Sequence, residues 1–243
     1  MNSSATAKSS PQTKARLRLA IDLALIMSFL SAMPYMVLGE RHHEWIGVTI
    51  FFLLAIHLIF NRQSLLAIFK GHFFSKRAIN IVIYVLAAVA ILGLIASGVL
   101  ISRYVFSALS IPKLTYWARL THLLFSYWGF FLVSLHLGYN WGHLASEIRM
   151  AFSLKPWPKP LIIAFRSLIV LLGLYGVYAI KANELLSYMF LKSRFVFFDL
   201  ERSLGLYILD YAAMMAFGAF LGYGLNKLLS RRKALVYLSP SAS

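Results

Sequence analysis

The chain has 243 residues, 60% of them hydrophobic and 13% charged, with a mean hydropathy of +0.73. A water-soluble domain carries about 25% charged residues and roughly 45–50% apolar ones, so this composition excludes a protein that faces water all round. The net charge of +16 lies in short clusters between apolar stretches rather than in one patch, which argues against nucleic acid as a partner, and the lack of cysteine excludes disulfides, iron–sulfur clusters and thiolate-bound metals.

In chain order, residues 1–18 begin MNSSATAKSSPQTKA, polar and small, and predict a disordered N-terminus. The apolar run that follows is too long for a signal-peptide core and has no clean small-x-small cleavage site, which predicts a retained helix. Crossing about 30 Å of hydrocarbon takes roughly 20 apolar residues, and six stretches qualify: Leu19–Leu38, Glu44–Phe60, Ile79–Ile101, Tyr116–Tyr139, Leu161–Ile180 and Leu206–Leu229. Pro34 predicts a kink in the first. The expected fold is an all-α integral membrane bundle. Its first four helices (19–145) are expected to form a four-helix core, with a two-helix extension over 146–233 and a tail over 234–243.

Lys and Arg set the expected orientation. Four precede the first span (Lys8, Lys14, Arg16, Arg18) and four follow the second (Arg62, Lys70, Lys76, Arg77). Four flank the fourth connection (Arg149, Lys155, Lys159, Arg166) and four end the chain (Lys227, Arg231, Arg232, Lys233). The other side holds the remaining eight of 24, Arg41, Arg103, Lys113, Arg119, Lys181, Lys192, Arg194 and Arg202, diluted by Glu40, Glu44, Glu184, Asp199, Glu201 and Asp210. Sixteen against eight puts both termini in the cytoplasm. The longest connection, Lys181–Gly205, is unusually apolar and predicts a segment lying along the outer interface or docking a partner.

The seven histidines divide into two groups. His72 lies in a basic loop, His42 at the start of the second span and His143 just past the fourth; each is simplest as an ordinary polar residue. His43 and His57, and again His122 and His136, stand fourteen residues apart on the second and fourth spans. Fourteen residues fall only about 40° short of four turns and rise about 21 Å, so each pair shares one helix face at two depths. The two spans run the same way, which sets His43 level with His122 and His57 level with His136. Two facing histidines at each of two depths is what two bis-histidine haems require. Packing histidines that hydrogen-bond between helices are the plain alternative, although ionisable groups inside a bilayer are costly. The choice of His43 over His42 rests on the matching fourteen-residue interval of the fourth span.

Small residues on the third span (Gly93, Ala96, Ser97, Gly98), on the first (Ser28, Ser31, Ala32) and on the fourth (Gly129, Gly138) would let a porphyrin approach, or simply let helices pack. Arg103 and Arg119 stand near the outer level and suit either haem propionates or interfacial anchoring, as do Trp45, Trp117, Trp141 and Trp157 for anchoring alone.

The paired histidines resemble those of cytochrome b in respiratory bc-type complexes, though the rest of the chain does not. The segments HHEWIGVTIFFLLAIHLIFNRQ (42–63), SGVLISRYVF (97–106) and THLLFSYWGFFLVSLHLGYNWGHL (121–144) are more similar to the bacterial flavinylation-associated membrane cytochromes, a family formerly classed as a domain of unknown function. FLKSRFVFFD (190–199) is similar to a loop in such proteins. The resemblance implies axial ligation of two b-type haems by His43, His57, His122 and His136. It also implies electron exchange with an extracytoplasmic flavoprotein or other redox partner. Members of the family often carry a further histidine where this chain has Asn140, so any role of that position is in doubt here.

These readings predict an electron-transfer subunit of a bacterial cytoplasmic membrane, with a quinone as a further candidate partner, rather than a stand-alone enzyme. No nucleophile–base arrangement, P-loop or dinucleotide glycine motif is present. The rivals are a transporter or proton-conducting protein with relaying histidines, and a non-redox membrane anchor.

Overall fold

The computed structural model describes residues 10–68, 75–109, 111–155 and 158–238, and among them the regular structure is entirely helical. Helix α1 (Pro11–Ala32) starts where Pro11 takes the first helical position and the Ser10 hydroxyl accepts from the Thr13 N–H at 3.2 Å. The segment expected to be disordered through residue 18 is therefore helical from Pro11. The predicted kink at Pro34 is a full break: α1 stops at Ala32, a turn at Met33–Pro34 follows, and α2 (Tyr35–Leu38) is one turn long. Gly39, at φ 87°, takes a backbone conformation that a side chain disfavours and turns the chain directly into α3 (Glu40–Phe60).

Asn61 caps α3, and α4 (Arg62–Ile68) and α5 (Ser75–Ile101) follow. Two short 3₁₀ turns lead to α6 (Thr115–Tyr139), which Asn140 separates from the amphipathic α7 (Trp141–Phe152). Then come α8 (Lys159–Ala182), the short α9 (Leu185–Met189) and α10 (Leu204–Leu238). Among the described residues five helices are long and apolar enough to cross a membrane: α3, α5 from Arg77, α6, α8, and α10 to Ser230. This makes a multi-pass helical membrane protein. The first of the six expected spans is not among them, because Lys14, Arg16, Arg18 and Asp22 interrupt α1 and the Pro34 break detaches the apolar turn beyond it.

Helix α1 lies along α3 and α7, α5 along α6, and α10 along both α6 and α8. Close packing is not confined to the first four spans. Gly138 of α6 meets the backbone at Ala219 of α10, and Gly218 and Gly222 of α10 meet Ser134, Leu135 and Tyr139 of α6. Backbones approach this closely only where side chains are absent. The last helix is thus built into the bundle rather than appended to it. The main buried cluster joins Phe29, Leu30 and Met33 of the α1 end to Tyr127 and Phe130 of α6 and to Tyr207, Tyr211, Met214 and Met215 of α10.

Part of the apolar connection 181–205 belongs to that cluster: Leu185, Tyr188 and Met189 are buried, and the Trp128 indole donates to the Met189 carbonyl at 2.8 Å. Val196 and Phe198 pack against the same cluster, whereas Phe190, Phe195, Phe197 and Leu200 are exposed. Asp210, counted above among the outer acids, is also interior. It accepts from the Tyr175 hydroxyl (2.7 Å) and the Asn183 amide (2.7 Å), and pairs with Arg202 at 2.8 Å.

Candidate functional site

Helix α3 has no fully buried residue. It leans on α1, while α5 leans on α6, and the two helix pairs are pinned together at one end by Glu44. That carboxylate accepts from the Ser102 hydroxyl (2.8 Å) and from the backbone N–H groups of Arg103 (2.7 Å), Tyr104 (3.1 Å) and Val105 (2.8 Å). It thereby satisfies backbone donors just past the end of α5. The four spaced histidines belong to α3 and α6, on either side of this division.

At the end near Glu44, His43 of α3 meets His122 of α6, with ring centres 6.0 Å apart and ring planes at 77°. His42 is exposed, and of the two neighbours it is His43 that meets His122. The His43 Nδ1–H donates to the Ala32 carbonyl at 3.0 Å, one of the last carbonyls of α1, which the end of that helix leaves without an intrahelical partner. The His122 Nδ1 lies 3.2 Å from the Ser97 hydroxyl, which itself donates to the Gly93 carbonyl at 2.6 Å and so accepts from the ring. With both Nδ1 atoms engaged, each ring keeps Nε2 as its free ligating atom. Gly98 lies beside His122: a Cβ there would stand 3.4 Å from the ring Cε1.

One helical interval further on, His57 of α3 donates its Nδ1–H to the Asp22 carboxylate of α1 at 2.7 Å. His136 of α6 has His57 and Asp22 as its electrostatic neighbours, and its ring lies edge-on to Tyr84 of α5, 4.9 Å between centres. Asn61 donates to the His57 carbonyl at 3.0 Å, and Asn140 donates to the His136 carbonyl at 2.9 Å. The two helices therefore share a longer repeat than the histidines alone, His-x13-His-x3-Asn, in which the asparagine ends the helix in both cases. Asn140, noted above as a departure, stands in its helix as Asn61 does in the other.

The remaining candidate residues are spread over several elements. Arg103 is exposed and already holds a carboxylate, Glu40, at 2.9 Å, so it braces the start of α3. Arg119 is exposed, about one turn ahead of His122 on α6. Gly93 and Gly129 pack against Phe125 and against Ala90 and Leu94, which is helix packing. His143 is mostly exposed and sits 3.4 Å from Glu147, one turn along α7. His72 and Trp157 lie outside the described residues. Asp22 escaped the sequence reading. Its signal was a single acid within the apolar run LRLAIDLALIM, 35 residues before His57.

Among the described residues no three His, Asp or Glu side chains gather as a polydentate metal site would need. The arrangement is two pairs, which suits axial ligation. A metal–imidazole bond of about 2.0–2.1 Å plus roughly 1.1 Å from the nitrogen to the ring centre puts two rings on one metal about 6.3 Å apart. The observed 6.0 Å fits that requirement. No protein-family model, curated protein or solved structure matches the chain.

Proposed function

We propose that this chain is a dihaem b-type membrane cytochrome that relays electrons across the bilayer. His43 and His122 hold one haem, and His57 and His136 the other. The observation that carries the reading is the pair His43–His122 at a centre-to-centre distance of 6.0 Å, with both Nδ1 atoms already engaged. The same helix faces repeat the pairing one interval away. Haem, when bound, supplies reversible one-electron chemistry. The chain's own residues hold, orient and insulate: Ala32, Ser97 and Asp22 fix ring orientation, Gly98 leaves room beside His122, and the apolar helix faces keep out water.

In this reading α1 and α2 together make the first of six crossings, and both termini lie on the cytoplasmic side of a bacterial inner membrane, as the distribution of basic residues favours. The His43–His122 level then faces outward, toward an extracytoplasmic flavoprotein or other redox partner of the kind that the family resemblance implies. A quinone is the candidate partner within the membrane. The Asp22–His57 pair favours one rival, a proton-conducting protein, since an acid beside a histidine within an apolar helix is a proton-relay arrangement. An optical spectrum of the purified full-length protein separates the two. The cytochrome reading expects reducible haem bands and two haems per chain by pyridine haemochrome; a colourless protein that conducts protons in liposomes would overturn it.

A further inference from the structure

The two histidine pairs differ in what their Nδ1 atoms touch. His43 donates to a backbone carbonyl and His122 to a hydroxyl, both neutral. His57 donates to a carboxylate, at 2.7 Å, the shortest of these contacts. Asp22 and His57 are about three-quarters covered, with side-chain exposures of 22% and 24%. Arg18, one turn earlier on α1, is turned away to Glu147 (3.5 Å) and to the Phe60 carbonyl (3.1 Å). Among the described residues His57 is the ion-pair partner of Asp22, and no other is found.

We propose that Asp22 is a positioning residue that makes His57 the most electron-donating of the four ligands, so that the haem of the His57–His136 pair has a lower reduction potential than that of the His43–His122 pair. The inference rests on the cytochrome reading above. A carboxylate that accepts the Nδ1–H fixes the tautomer and raises the basicity of Nε2 more than a neutral oxygen does. A more basic axial ligand and a nearby negative charge both favour the ferric state over the ferrous. An electron shared between the two sites then rests preferentially at the His43–His122 level. The asymmetry is built by one residue of α1, a helix that supplies no ligand.

The test is a redox titration of the full-length protein in detergent, followed in the haem absorption bands. The wild-type protein should titrate in two one-electron steps. In Asp22→Asn the lower step should rise by about tenfold or more in its reduction equilibrium, which is about 59 mV for one electron, while the higher step stays in place. Asp22→Glu, which keeps the charge, should restore a low step. The same upward shift should appear when Asp22→Asn is placed on the double variant His43→Ala with His122→Ala, which retains only the pair beside Asp22. If Asp22→Asn sheds one haem, restoration of that haem by Asp22→Glu supports the positioning role. Two unchanged steps in Asp22→Asn, or a shift confined to the higher step, overturn the inference and leave the cytochrome reading standing. Wild-type protein without haem overturns both.

Discussion

At the scale of single residues, each histidine pair should behave as one unit. Replacing either member should remove the same haem, since a ring left without its opposite ligand in an apolar slot no longer holds iron on both sides. A double change within a pair, His43→Ala with His122→Ala, should therefore leave about one haem per chain and be hardly worse than either single change. A double change across pairs, His43→Ala with His57→Ala, should leave none. Pyridine haemochrome on matched amounts of membrane protein reads both. Two haems surviving in all four single variants would refute the ligand assignment. His42→Ala should keep both, because His42 is exposed while His43 faces His122 at 6.0 Å. This choice between neighbours was open in the sequence, where fourteen- and fifteen-residue intervals point about 40° and 60° off a common face.

At the scale of elements, the last helix is held to α6 by absent side chains. A Cβ on Gly222 would meet the Leu135 carbonyl and stand 2.9 Å from the Tyr139 nitrogen, both backbone atoms that no rotamer change can move aside. Gly222→Leu should therefore destabilise the folded protein by about 1–3 kcal/mol or more, read as a lower melting temperature in detergent. Gly224, two residues on, has nothing within 4 Å of a Cβ. Gly224→Ala should leave melting unchanged or raise it slightly, since alanine is the better helix former. Equal losses in the two variants would show that helix propensity rather than the α6–α10 contact decides. The contrast is invisible in sequence, where both glycines read alike in FLGYGLN. Their difference is a matter of which side of α10 faces α6.

At the scale of the whole molecule, the number of crossings decides the sidedness of the termini. Six crossings place both ends on one side, and five place them on opposite sides. Helix α1 is the ambiguous one, because its first turns carry Lys14, Arg16 and Arg18 while the apolar turn Tyr35–Leu38 lies beyond the Pro34 break. The ion pair of Asp22 with His57, in the last turn of α3, and the contact of the Ala32 carbonyl with His43, near its start, lay α1 along α3, which favours a crossing. Reporter fusions at either terminus should then be active only with an enzyme that works in the cytoplasm. Activity of an export-dependent reporter at the N-terminus alone would establish five crossings with the two levels as assigned, and at the C-terminus alone would establish five crossings and reverse them.

What the sequence determined by itself is what depends on local periodicity and on solvent. Apolar runs of membrane-spanning length marked α3, α5, α6, α8 and α10 within a few residues, except where α10 continues to Leu238, because lipid allows backbone groups no other partner than their own helix. The fourteen-residue intervals marked two histidines on one face of each of two helices, because a helix has a fixed pitch. What only the tertiary structure decided is which faces meet. It put Asp22 against His57 across 35 residues, the Ala32 carbonyl against His43 beyond a broken helix end, and Asp210 inside with Arg202. It also drew α9 into the core and α10 against α6. A helix carries its pitch in its own residues. Its neighbours are chosen by the whole bundle, through close backbone approach and through polar groups that find partners only when all the helices are in place.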